Sequence, residues 1–125
     1  MVYRRVSFVS YYLVQASYKA KTWVALVKEP KSRLDFAIPL IENLGGKIEC
    51  AYITFGDYDS MAIVRMPEKI DAASLSMALL ASGAYKTVKT TPLMKWDDGV
   101  KAMSEAKKAL FNLSNEDTVF LKRIG

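Results

Sequence analysis

Histidine does not occur in this 125-residue chain, and cysteine occurs once, as Cys50. Without histidine the commonest zinc and iron ligand, the proximal ligand of most haem proteins and the usual general base near neutral pH are all missing. A single cysteine excludes an intramolecular disulfide. With no imidazole to activate it, Cys50 reads as a small apolar strand residue and not as a nucleophile. An all-carboxylate metal site is not suggested by any spacing of Asp and Glu, so no metal and no cofactor are expected.

Long apolar runs are missing too. No stretch approaches the length that spans a bilayer, so no membrane partner is expected. Arg4 and Arg5 followed by a partly apolar stretch faintly resemble a signal peptide. Ser7, Ser10, Tyr11 and Tyr12 interrupt its apolar core, and cleavage near Ala16 would remove a strand that the later pattern needs. The expected location is therefore the cytoplasm.

Concentrated charge of one sign is also scarce. The net charge is +5, but Arg4, Arg5, Lys122 and Arg123 hold 4 of those charges, which leaves +1 for the body between. A nucleic-acid footprint would gather basic residues on one element among exposed aromatics, and nothing of that kind appears. No nucleic-acid partner is expected.

What the chain does have is enough apolar sequence for one core: 51% apolar and 25% charged residues, the balance of an ordinary globular domain. The clearest local signal lies between Lys47 and Met66. Residues 47–55 and 60–66 alternate as strands do and are rich in β-branched and aromatic side chains, with Gly56-Asp57-Tyr58-Asp59 as the turn between them.

Around this hairpin the other elements follow in order. Residues 11–18 read as a first strand, and Trp23, Leu26 and Val27 recur at helical spacing up to Pro30. A second helix carries Leu34, Ala37, Ile38, Ile41 and Leu44 on one face, with Pro39 inside it as a site for a kink and Gly45-Gly46 as its end. After the hairpin, Asp71 is expected to cap a helix through Leu75 and Leu79, and residues 85–91 form a fourth strand stopped by Pro92. Asp97 and Asp98 open a final helix. The expected fold is α+β: a ferredoxin-like βαββαβ arrangement with a four-stranded antiparallel sheet and an added C-terminal helix. Residues 1–10 read as an arm, 11–111 as the domain and 112–125 as a tail.

A three-residue loop in the hairpin would oppose Ile53 to Met61, Ala51 to Ile63 and Glu49 to Arg65, the last as a cross-strand ion pair. One face then holds Ala51, Ile53, Met61 and Ile63, and the other Ile48, Cys50, Tyr52, Ala62, Val64 and Met66. Both faces are apolar. Helices cover the second, and a second copy of the chain is the expected cover of the first, which predicts a homodimer.

Leu44-Gly45-Gly46-Lys47-Ile48 before the hairpin and Gly56-Asp57-Tyr58-Asp59 at its turn, together with Arg33, Met66-Pro67 and Thr90-Thr91, resemble the GYD domain family of bacteria and archaea. The resemblance covers roughly Tyr11 to Met103. It implies the dimeric α/β barrel type of the ferredoxin-like fold and transfers no catalytic residues.

Two groups of residues carry candidate chemistry. Tyr58 and Asp59 are either ordinary turn residues or a donor–carboxylate pair able to move a proton. Gln15, Ser17, Thr87, Lys89 and Thr91 alternate so as to converge on the open sheet face. There they would bind a small apolar or carbonyl ligand, with Lys89 holding an anion or carbonyl oxygen that Gln15 and a Thr hydroxyl orient; alternatively they are plain strand residues, with Lys89 reaching solvent. Three functions fit: a homodimeric small-molecule-binding domain; a cofactor-free enzyme on a small apolar or aromatic carbonyl compound, resembling the monooxygenases and isomerases of the dimeric α/β barrel superfamily, with Tyr58, Asp59 or Lys89 transferring protons; and an assembly or regulatory module with no pocket.

Overall fold

A computed structural model describes residues 10–112, in two compact units, the first ending at Leu93 and the second beginning at Met94. The expected arm and tail lie outside the described residues, apart from Ser10 and Asn112.

In the first unit the elements run β1 (Ser10–Tyr18), α1 (Ala20–Lys28), α2 (Leu34–Asn43), β2 (Lys47–Ile53), β3 (Ser60–Met66), α3 (Lys69–Ala81) and β4 (Tyr85–Leu93). The strands form one antiparallel sheet in the order β2-β3-β1-β4. This is the ferredoxin-like arrangement, an open sheet with the helices on one side. Alternation along β1 sorts the two faces: Tyr12, Val14, Ala16 and Tyr18 are buried, while Tyr11, Leu13, Gln15 and Ser17 are half-buried. The buried set packs with Val64 and Met66 of β3 against Ile41 of α2 and Ala72, Leu75 and Leu79 of α3. Met66, Leu75 and Val64 are the most deeply enclosed side chains. Truncating Met66 or Leu75 to alanine would cost about 2–5 kcal/mol.

Local sequence explains the element ends. Helix α2 closes as the glycine pair requires: Gly45 has φ +82°, and Gly45 and Gly46 donate their N–H groups to the carbonyls of Glu42 and Ile41 at 2.9 Å each. Pro39 sits within α2, which continues through it to Asn43. Helix α3 differs from expectation in its cap. Glu68 occupies the N-cap, and Asp71, one turn in, accepts the Glu68 N–H at 3.1 Å, a reciprocal capping box. Strand β4 also runs further than expected, through Pro92 to Leu93. It lies at a sheet edge, where a residue without an N–H is tolerated.

The hairpin register departs from the expected one. Ile53 opposes Ser60, Tyr52 opposes Met61 and Ala51 opposes Ala62, and Thr54 N–H donates to the Asp59 carbonyl at 2.9 Å across a four-residue loop. A one-residue shift at Glu49, a β-bulge, then returns Ile48 to Val64 and Lys47 to Arg65. The bulge turns Ala51 and Ile53 to the helix side and Cys50 and Tyr52 to the open side, the reverse of the expected assignment. The Glu49–Arg65 ion pair forms nonetheless, at 2.9 Å, because the bulged residue still lies beside Arg65.

The second unit contains α4 (Trp96–Phe111), with Asp97 and Asp98 in its first turn as its dipole favours. Trp96, Val100, Met103 and Leu110 are exposed along it.

Candidate functional site

Between the helix side of the sheet, α1, α2 and the loop joining those helices lies a cavity of about 400 Å3. Its walls are apolar, built by Val14, Ala16, Leu26, Ala37, Ile41, Ile48 and Ala62, while Tyr18, Ser60, Arg33 and Tyr85 supply polar groups. Small-molecule sites combine these features: a largely apolar concavity with a few converging polar groups.

Each polar residue arrives there for a local reason. Tyr18 ends β1 on the inner face, and its ring is held by Trp23 at 5.2 Å and edge-on by Tyr85 at 5.4 Å. Tyr85 reaches that face because β4 is bulged: Ser17 opposes Thr87 but Tyr18 opposes Tyr85, with Lys86 skipped. Ser60 begins β3 opposite Ala16. Arg33 is the residue from which α2 starts, after Pro30 has ended the preceding segment; its carbonyl accepts the Ala37 N–H at 3.1 Å.

The Arg33 guanidinium lies over the rings of Phe36, at 4.8 Å, and Tyr85, at 5.2 Å, and its Nη2 donates to the Tyr85 hydroxyl at 3.2 Å. Its Nε–H is buried and meets no acceptor. Burial holds the Tyr18 hydroxyl above its ordinary value of 10.0, and the Tyr85 hydroxyl and Asp59 carboxylate push the same way while Ser60 and Arg33 oppose them. Tyr18 is therefore a neutral phenol at physiological pH. The Tyr18 and Ser60 side chains are hydrogen-bonded to each other, so the site offers the guanidinium and one further hydroxyl donor from that pair. Such an end suits a ligand oxygen.

The residues singled out from the sequence fall elsewhere. Gln15 opposes Lys89, Ser17 opposes Thr87 and Leu13 opposes Thr91, so the five polar candidates do converge, on the sheet face away from this cavity. There the Ser17 and Thr87 hydroxyls bond to each other, and Lys89 is exposed. Asp59 is engaged at the hairpin base: its carboxylate accepts the Tyr18 N–H at 2.8 Å and its own N–H donates to the Ala16 carbonyl at 2.8 Å. The Tyr58 carbonyl accepts the Thr54 hydroxyl at 2.6 Å. Tyr18, Ser60 and Tyr85 were not legible as site residues. Tyr85 owes its position to a bulge that no residue type announces, and Arg33 stood out only as part of the family resemblance.

Among solved structures the chain is similar to the crystal structure of MtbAldR (Rv2779c), at 14% identity and a TM-score of 0.48, covering 69% of this chain and 52% of that one. It is also similar to the crystal structure of PH0061, at 14% identity and a TM-score of 0.44, covering 73% of this chain and 56% of that one. The chain thus spans about half the length of these proteins. No curated protein matched. The family profile of the GYD domain matches residues 12–103, which takes in all of the sheet but the first two residues of β1, the cavity and the Gly56-Asp57-Tyr58-Asp59 turn, and the chain belongs to the GYD domain family.

Proposed function

We propose that this protein is a small-molecule-binding domain that works as a homodimer, with its ligand held under the helices in the cavity beside Tyr18 and Arg33. The observation that carries the reading is the cavity itself, about 400 Å3 of apolar-walled space lined also by Arg33 and the hydrogen-bonded Tyr18–Ser60 pair. That volume is within the range of sites that enclose small organic ligands. The ligand class it favours is an apolar body carrying an oxygen acceptor, in keeping with the small apolar or carbonyl compound expected from the sequence. The dimer is supported by the opposite face, where Leu13, Met61 and Ile63 lie half-buried and Tyr52 is exposed. Apolar side chains clustered in this way gain from a protein cover.

The test is titration with a neutral apolar dye such as N-phenyl-1-naphthylamine. Saturable binding of one dye per protomer is expected. Ala37→Phe and Leu26→Phe, which project bulk into the cavity, should each weaken it at least roughly tenfold while unfolding cooperatively. Absence of saturable binding, or equal binding by both variants, would overturn the proposal.

A further inference from the structure

Arg33 is held in an unusual state of partial satisfaction. The Arg33 guanidinium carbon lies over the Phe36 and Tyr85 rings, 4.8 and 5.2 Å from their centroids, so two aromatic neighbours hold the head group in place. One donor is paired, Nη2 to the Tyr85 hydroxyl. The Nε–H is shut away from solvent with no acceptor. None of the ion pairs of the described residues involves Arg33. Asp59, whose carboxylate lies nearest Tyr18, is bonded to the Tyr18 backbone N–H instead. A buried donor left without an acceptor is costly, and more so on a charged group.

Two other features bear on which acceptor fits. The neighbouring cavity residue Lys31 is also cationic, and the hydrogen-bonded Tyr18–Ser60 pair adds one hydroxyl donor. A neutral carbonyl would satisfy one hydrogen bond and leave the guanidinium charge uncompensated. A carboxylate supplies the missing charge and two oxygens for the guanidinium N–H groups other than the enclosed Nε–H, while the cavity walls of Val14, Leu26, Ala37 and Ile41 take an apolar body.

We infer that the ligand of this cavity is a small monocarboxylate with an aryl or alkyl body, its carboxylate read by Arg33. The inference rests on the cavity being the binding site, and it names the chemical class that site accepts. Arg33 then acts as the specificity-determining residue, and Tyr85 as the residue that positions it.

The experiment compares benzoate, 3-phenylpropanoate and octanoate, each with its own primary amide, by isothermal titration calorimetry on the full chain. Each pair keeps shape and changes charge. At least one carboxylate should bind at least roughly tenfold more tightly than its amide, since hydrogen bonds to charged groups are the stronger ones. Arg33→Met should bring that ratio close to one, and Arg33→Lys, which keeps charge but loses the fork, should give an intermediate ratio. The carboxylate-to-amide ratio of the unaltered protein decides the matter even if an Arg33 variant fails to fold. Equal binding of acid and amide in every pair overturns the carboxylate assignment while leaving the cavity as a site. If neither member of any pair binds, and the neutral dye does not bind either, both readings fall together. Dye binding with no carboxylate binding overturns this inference alone.

Discussion

The Asp59 carboxylate accepts the backbone N–H of Tyr18 at 2.8 Å, so a side chain from the hairpin base completes the hydrogen bonding of the last residue of β1. The same residue bonds through its own N–H to Ala16 and through its carbonyl to Thr54. Asp59 thereby ties the hairpin to the strand end that presents the Tyr18 ring to the cavity. The aspartate of the Gly-Asp-Tyr-Asp turn is thus a fastening between two strands, whatever else it does.

Removing that acceptor should be felt in stability. Asp59→Ala leaves the Tyr18 N–H without its partner, and urea unfolding should show a loss of about 1–3 kcal/mol. Asp59→Asn keeps an acceptor oxygen and should recover a good part of it. If the alanine variant unfolds at the same urea concentration as the parent, Asp59 is not a fastening.

The Tyr18 hydroxyl gives a prediction in alkaline solution. Burial raises its folded-state value above the ordinary 10.0, so the native state keeps the proton where the unfolded chain releases it. The unfolded state then binds fewer protons, and stability falls as pH rises. The contribution is intact below 10.0 and declines above it, through the higher folded value. Thermal unfolding followed from pH 9 to 11 should therefore show a shallower decline for Tyr18→Phe than for the parent. Parallel declines would contradict it.

Two glycines should respond in opposite directions to alanine. A Cβ on Gly46 would meet the Arg65 carbonyl at 2.7 Å and the Met66 sulfur closer still, so β3 and α2 would have to move apart. Gly46→Ala should cost about 1–3 kcal/mol, the range for overpacking a tight contact. Gly99, within α4, meets nothing within 4 Å, and Gly99→Ala should stabilise that helix by about 0.5–1 kcal/mol through backbone entropy. Far-UV circular dichroism during thermal unfolding separates the two.

The proposed dimer is checked by light scattering after gel filtration. Leu13→Glu and Ile63→Glu place charge at opposed positions of the open sheet face. Each should shift the protein from about twice 14.0 kDa to 14.0 kDa while preserving dye binding if the cavity is complete within one protomer. A parent protein already at 14.0 kDa in dilute solution would remove the dimer from the proposal.

The elements and their order were legible along the chain. Alternation in β1, the helical spacing in α2, the glycine pair that closes α2 and the turn between β2 and β3 are all local signals, set by backbone preferences and side-chain periodicity within a few residues. The Glu49–Arg65 pair was expected from a register that did not form, and it is present because the bulge at Glu49 leaves that residue beside Arg65. Tertiary packing set where the pleat slips within the two edge strands, although Thr87, Lys89 and Thr91 of β4 share the face expected of them. Bulges at Glu49 in β2 and at Lys86 in β4 turn Ala51, Ile53 and Tyr85 inward, and a one-residue slip inverts every later side chain of a period-two element. Nothing in residue type announces such a slip, because both faces of β2 are apolar enough to accept it. The cavity therefore opened under the helices, around an arginine whose unfilled donor becomes visible only when its neighbours are in place.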